Sequence, residues 1–399
     1  MTHLQSLFVL LLCLCCYLPS RLLVVGAPLE CNATLAQALA ERFRKLGRKG
    51  RDSSFCPEEE WLPLMAASSA RANKQHYIFI NIGFNKGYNF ANWMQLFAPS
   101  TYMTPAVWWR KLVEGSDNSK NVTVPWQAAC GECKDCNVVF ETGTASRLAD
   151  AANVTAGGAR RPRIDIIGVD LNEDNIKLVH QIAASIRADH RGNSSAKEQP
   201  NFEAVSLDLR HAAASNKDGI MAIEKCPPGK EMCAIPSVEQ WNASLASQRQ
   251  RNDRFHHVRV LTADSLCKEV FARLRGRVGS KASSGPGAEL EIDILMIDTE
   301  GNDALVLAGA HDILSRRLVR CVIFEYHYFG QWEFKLLKDS VDALDGHGYD
   351  CWFQGQRRLW SLSHGCWHAL YEFKGWSNVM CVRRGDPWMA VVEPLVVSA

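Results

Sequence analysis

Residues with the types and spacing for proton and cation chemistry stand just past apolar runs. IDILMIDTEG carries Asp298 and Glu300 at such a point, and VIFEYH carries Glu325 and His327 at the next. His327 titrates near neutrality and is the natural candidate for a general base. Its plainer reading is a surface-loop histidine between Tyr326 and Tyr328. Asp298 and Glu300 can bind a donor or an acceptor, or cap the helix that follows. Paired acids also suit a divalent cation, but two carboxylates make a thin ligand set and no metal is expected.

Upstream, YIFINIGFNKGYNF ends an apolar run on Asn81 and turns through Gly83 and Gly87 into an amphipathic segment. Glycine permits positive φ and close approach of backbone to a ligand, and a helix start offers unpaired N–H groups. IDIIGVDL brings Asp170 to the end of the next clear strand. A carboxylate there can hold both hydroxyls of a ribose, as in other nucleotide-binding α/β sheets. It lies far beyond the usual spacing of about 20 residues, so an insertion must intervene. The turn is not a G-x-G-x-x-G, and the chain has no G-x-x-x-x-G-K-[S/T] phosphate loop.

The elements that must position these residues follow from periodicity. Apolar, β-rich runs predict strands over 77–82, 164–171, 202–209, 219–223, 292–297 and 319–326, with others at HVRVL, YDCWF and SNVMCVRR. Helical spacing marks 35–46, 88–97 and NEDNIKLVHQIAASIRADH, where Ile176, Val179, Ile182 and Ile186 share a face. It also marks 303–314 and FKLLKDSVDAL. Nearly continuous apolar strands alternating with amphipathic helices imply a mostly parallel α/β sheet covered on both faces. Ligands of such sheets bind beyond the carboxyl ends of the strands, where all the residues above fall.

At this point the chain resembles a known family. IDILMIDTEGNDALVLAGA looks like the diagnostic segment of the FkbM-type methyltransferases, in Ile297, Asp298, Glu300, Gly301, Leu307, Gly309 and Ala310. FINIGFNKGYN resembles the family's first motif, with Asn81 for the commoner Asp and Phe84 for Ala. GVDLNEDNIKLV resembles the second, with Leu171 for Pro, and HAAASNKDGIMAI a third. The resemblance implies a Rossmann-like class I methyltransferase fold, with a mostly parallel, doubly wound sheet carrying insertions. It implies S-adenosylmethionine as cofactor, with Asn81, Gly83, Asn85 and Gly87 around its amino-acid part. Asp170 would take the ribose, and His211 and Ala212 would lie near the adenine. His327, Asp298 and Glu300 would then flank the transferred methyl.

Composition sets the context. A formal net charge of +2 over 399 residues argues against a nucleic-acid partner. LFVLLLCLCCYL, Leu7 to Leu18, is too short to span a membrane comfortably and suits a signal peptide with cleavage near Val25-Gly26-Ala27. If Arg21 snorkels, residues 4–29 instead form an uncleaved tether, and both readings place the rest of the chain in a lumen or outside the cell. Sequons at Asn32, Asn121, Asn153, Asn193 and Asn242 agree with that compartment. Outside the leader, twelve of the fifteen cysteines remain, an even number that permits full pairing. Cys130, Cys133 and Cys136 read as structural disulfides rather than a zinc site, since the next two cysteines, Cys226 and Cys233, have six residues between them and an oxidising lumen favours disulfides.

The expected organisation is a leader over 1–27, a helical extension over 28–75 and a methyltransferase domain over 76–390. Insertions fall near 98–162 and 226–255. The expected activity is methyl transfer to a hydroxyl, with a glycan of the secretory pathway as the expected acceptor. The alternative is an inactive, disulfide-stabilised binding module on the same fold.

Overall fold

The computed structural model describes residues 30–47, 61–101, 103–118, 162–193, 204–224, 255–277 and 290–398. The leader, the Cys130–Cys133–Cys136 triplet and the sequons at Asn121, Asn153 and Asn242 lie outside them. Among the described residues, two helices, α1 (Ala33–Gly47) and α2 (Trp61–Arg71), precede the first strand. The side chain of Asn32 caps α1, its Oδ1 accepting from the Leu35 N–H at 2.9 Å.

The strands are β1 (His76–Ile82), β2 (Arg163–Asp170), β3 (Val205–His211), β4 (Ala213–Ala214), β5 (Gly219–Glu224) and β6 (Phe255–Leu261). They continue as β7 (Ile292–Ile297), β8 (Val319–Tyr326), β9 (Tyr349–Gly355), β10 (Arg358–Ser361) and β11 (Ser377–Arg383). Eight of them form one sheet in the order β10-β9-β11-β8-β7-β1-β2-β3. From β8 to β3 neighbouring strands are parallel; β11 runs antiparallel to β8 and β9, and β10 antiparallel to β9. The sheet is therefore mixed at one end, where β10 is an added strand that periodicity did not mark.

The central strands β1, β2, β7 and β8 are largely apolar because both faces are covered. On β1, Ile78, Ile80 and Ile82 enter one buried layer, while Tyr77 and Phe79 enter the other. The first layer holds α1, α6 (Ala263–Arg277) and α9 (Leu337–Gly346) through Phe43, Val270 and Val341. The second holds α2, α3 (Tyr88–Phe97), α4 (Pro105–Asn118) and α5 (Glu173–Asn193) through Met65, Phe90, Trp108 and Ile182.

Two expectations need correction. The strand at HVRVL does not join the main sheet: β6 pairs antiparallel with β5 and parallel with β4 in a separate three-stranded sheet. The polar segment near 226–255 thus connects the two strands of a hairpin, a pairing that no local pattern encodes. The helix expected over 303–314 is two, α7 (Asp303–Ala308) and α8 (His311–Ser315). They separate at Gly309, where a Cβ would stand 2.3 Å from the Ser215 carbonyl oxygen. The carboxylate of Asp264 then caps α8, accepting from Asp312 N and Ile313 N at 3.0 Å each.

Full cysteine pairing is also not realised. Cys31 bonds Cys366 and Cys351 bonds Cys381, but Cys267 is a buried thiol whose pKa burial pushes up. The two disulfides suit an oxidising compartment. Among the described residues no helix is long and apolar enough to cross a membrane.

Candidate active site

The strand order reverses at β1, which lies between β2 and β7. The ends of these three strands are stitched together just beyond the sheet: Gly83 N donates to Val169 O, and Asp298 N to Ile82 O, both at 2.8 Å. Gly83 has φ +85°, and a Cβ there would stand 1.6 Å from the Asp298 carbonyl oxygen. Only glycine lets the three strand ends close up in this way.

Asn85 follows in the left-handed region at φ +45° and donates its N–H to Asp170 Oδ2 at 2.9 Å. Asp170 Oδ1 accepts from Asn172 N at 2.7 Å and Asn175 Nδ2 at 3.2 Å. Asp170 therefore ties the turn after β1 to the end of β2. Burial raises its pKa to about 6 against these hydrogen bonds. Asn81 is fully buried, and neither polar atom of its side chain has a hydrogen-bond partner among the described residues; the same holds for Asn85 Oδ1. Buried amides without partners are rare in native proteins and call for a polar ligand group or water.

Phe84 and Gly87 face the other way. Phe84 lies in the second buried layer, against Phe90 and over Gly168, where a Cβ would meet Phe84 Cδ1 at 2.7 Å. The larger side chain found in place of Ala thus fills the core. Gly87, at φ +78°, opens α3, and a Cβ there would press on Val179 and Trp108. His211 pairs in register with Asp170 at the rim; it is exposed, hydrogen-bonds the Leu171 carbonyl through Nε2 at 3.0 Å, and stacks on His256. Ala212 is buried and donates its N–H to Asp170 O at 3.0 Å.

On the other side of β1, Asp298, Glu300, Asp303 and Glu325 form one acidic group. Glu300 and Gly301 both take positive φ, 52° and 95°, which wraps the turn over Asp303. Asp303 is fully buried; its Oδ2 accepts from Thr299 Oγ1 at 3.0 Å and Gly301 N at 3.3 Å, and its Oδ1 from Glu325 N at 3.3 Å. Glu325 Oε1 accepts from the Trp376 indole N–H at 2.8 Å. Asp298 and Glu325 stand side by side, one residue past the paired Ile297 and Phe324 of the adjacent strands β7 and β8. Among the described residues no lysine or arginine pairs with Asp298, Asp303 or Glu325. Burial followed by mutual repulsion lifts Glu325 from 4.5 to about 8 and Asp298 well above its usual range, and burial lifts Asp303 from 3.8 to about 7.

His327 is buried, not a surface-loop residue. Its ring stacks on Phe329 with centroids 3.9 Å apart and lies 4.8 Å from Trp376. Nδ1 accepts from Phe329 N at 3.4 Å, and Nε2, without a hydrogen-bond partner, lies 4.0 Å from Glu325 Oε2. Burial lowers its pKa from 6.5 to about 4. Glu325 was legible as a carboxylate closing the apolar run VRCVIFE, though without an assigned role. Asp303 and Trp376 were not singled out as site residues, and Trp376 reaches the site only through tertiary packing.

These shifts set a pH dependence. Between the unfolded and folded pKa values of Asp303 and Glu325, the folded chain holds protons that the unfolded chain has shed. Their contribution to stability is therefore complete below about pH 4 and lost as pH rises through about 7 and 8. His327 has the opposite slope, but only between about 4 and 6.5. Thermal unfolding followed by circular dichroism should show Tm falling from about pH 6.5 to 8.5. A flat or rising Tm over that range contradicts the acidic group as described.

Residues 287–351 match the family model for the methyltransferase FkbM domain. The FkbM segment contains β7, the Asp298–Gly301 turn, α7, α8, β8 and His327, so the acidic half of the site lies inside it. Comparison with curated proteins and with solved structures gives no match. The FkbM match supports methyl transfer as the general activity and a class I methyltransferase fold as the frame.

Proposed function

We propose that the chain transfers a methyl group from S-adenosylmethionine to a hydroxyl, on a glycan of the secretory pathway, from a doubly wound Rossmann-like domain over residues 76–390. The observation that carries this reading is the pairing of two unlike half-sites across β1. One holds the buried Asn81 amide and Asn85 Oδ1, which lack partners, beside Asp170; the other holds Asp298, Asp303 and Glu325, which no lysine or arginine pairs with among the described residues. A donor with a nucleoside at one end and a cationic sulfonium and ammonium at the other matches both halves. Buried carboxyls that lack cations favour a positively charged ligand.

In this reading Asn81, Gly83, Asn85 and Gly87 shape the turn around the amino-acid part of the donor. Asp170 accepts from the ribose, using lone pairs left by Asn85, Asn172 and Asn175. His211 and Ala212 border the base. Asp298, Glu300 and His327 stand on the acceptor side. Bound there, S-adenosylmethionine supplies an electrophilic methyl group, and the chain's task is alignment and handling of the acceptor proton. The exposed ring of Tyr328, 6.5 Å from that of Trp376, gives the rim an aromatic face of the kind that sugars stack on.

Calorimetric titration of the folded, glycosylated protein with S-adenosylmethionine tests the proposal. Binding is expected, and Asp170→Ala should weaken it at least about 100-fold, since charge-assisted hydrogen bonds are each worth roughly 1.5–3 kcal/mol. No binding by the folded wild-type protein would assign the chain to the inert binding module instead.

A further inference from the structure

We infer that Glu325 is the residue that takes the proton from the acceptor hydroxyl, and that it becomes able to do so only when a cationic donor displaces the proton it shares with Asp298. The inference rests on the methyl-transfer reading above and adds a residue and an order of events to it.

Three geometric observations carry it. The first is the placement of Asp298 and Glu325 side by side, one residue past the paired Ile297 and Phe324 of the adjacent parallel strands β7 and β8. Repulsion between two carboxylates so placed favours a proton held on the pair. The second is Trp376, whose indole N–H donates to Glu325 Oε1 at 2.8 Å and fixes the carboxyl in place. The third is His327, fully buried with Nε2 lacking a hydrogen-bond partner and lying 4.0 Å from Glu325 Oε2. With Nδ1 accepting from Phe329 N, the ring carries its proton on Nε2, facing the carboxyl pair. In that tautomer His327 has no basic nitrogen to offer and acts as a positioning residue for Glu325. The other titratable groups facing the pair are Glu300 and Asp303, both acidic, and both favour retention of the shared proton.

The cycle balances. In the empty site the pair holds a proton. A cationic donor bound beside it favours the fully ionised pair, and that proton leaves to solvent. During transfer the acceptor O–H bond breaks and its proton passes to a Glu325 carboxylate oxygen. The oxygen lone pair forms the new C–O bond, while the electrons of the breaking C–S bond return to sulfur. The thioether product is uncharged at sulfur, so the pair keeps the proton and is back in its starting state. The single proton that methylation of an alcohol must release has left at donor binding.

Calorimetry tests this without knowledge of the acceptor. Heats of S-adenosylmethionine binding at pH 7, measured in phosphate and in Tris, report proton release through their different ionisation enthalpies. Wild-type protein is expected to release about one proton per donor bound. S-adenosylhomocysteine, which lacks the sulfonium, should release clearly less. Glu325→Gln, whose side-chain oxygen can still accept from Trp376, should bind the donor with little or no release. Trp376→Phe removes a hydrogen bond that favours the charged form, so its release should shift to higher pH; this variant keeps the test intact if Glu325→Gln does not fold. Unchanged release in Glu325→Gln, or an unshifted pH range in Trp376→Phe, overturns the assignment. Failure of wild-type protein to bind the donor at all is a separate result, and it overturns the methyl-transfer reading itself.

Discussion

Gly83→Ala should lower stability by about 3 kcal/mol or more and abolish donor binding. The added Cβ would lie 1.6 Å from the Asp298 carbonyl oxygen and 2.7 Å from its carbonyl carbon, both backbone atoms with no rotamer to change. Residue 83 would also have to hold φ +85° with a side chain, at roughly 1–2 kcal/mol. Overpacking adds about 1–3 kcal/mol. Relief requires the ends of β1 and β7 to part, which breaks the Asp298 N–Ile82 O hydrogen bond and moves the acidic group from its place. A fall in Tm of roughly 4–5 °C or more is expected for a domain of about 300 residues. Chemical denaturation and calorimetry check the two effects separately. Stability within about 0.5 kcal/mol of wild type would show that the three strand ends are not closed against one another as described.

The second large effect is expected from removing the Cys31–Cys366 bond. It closes a sequence separation of 335 residues and fastens α1 to the segment between β10 and β11. Constraint of the unfolded chain over so long a loop is worth roughly 6 kcal/mol in the entropic account, and measured values run at about 2–4. The Cys31→Ser, Cys366→Ser pair should therefore lose about 3–5 kcal/mol in chemical denaturation. Packing opposes complete detachment of α1, because Leu39 and Phe43 are buried and Phe43 contacts Phe353, Trp360 and Tyr371. The consequence for the site is indirect but specific. The segment held by Cys366 also carries Glu372, which accepts from Tyr326 Oη at 2.8 Å and Lys338 N at 2.9 Å, and Trp376, which holds Glu325. The cross-link thus lies on the same stretch of chain as the indole that orients the acid pair. No loss of stability in the double variant would mean that packing alone fastens α1.

What the sequence determined by itself was local. Apolar runs marked β1, β2, β7 and β8 because a strand covered on both faces is apolar at most positions. Helical spacing marked α1, α3, α5 and α9 because one stripe of each is buried. The same patterns placed Asn81, Asp170, Asp298, Glu300 and His327 just past strand ends, and the segment around Asp298 was sufficient to show the FkbM likeness.

The tertiary structure decided which strand ends meet and what each side chain then faces. Strand order is a long-range property: β7 joins β1 on the side opposite β2 after more than two hundred intervening residues, so no window of sequence encodes it. Only that neighbourhood turns Asp298 and Glu325 from two separate acids into a mutually repelling pair with raised pKa values, since repulsion and desolvation act through space. Burial likewise made His327 a weak base, sent Phe84 into the core over Gly168, and set β6 in a second sheet. Residue type and spacing say where chemistry can happen; proximity and dielectric say which protonation state it starts from.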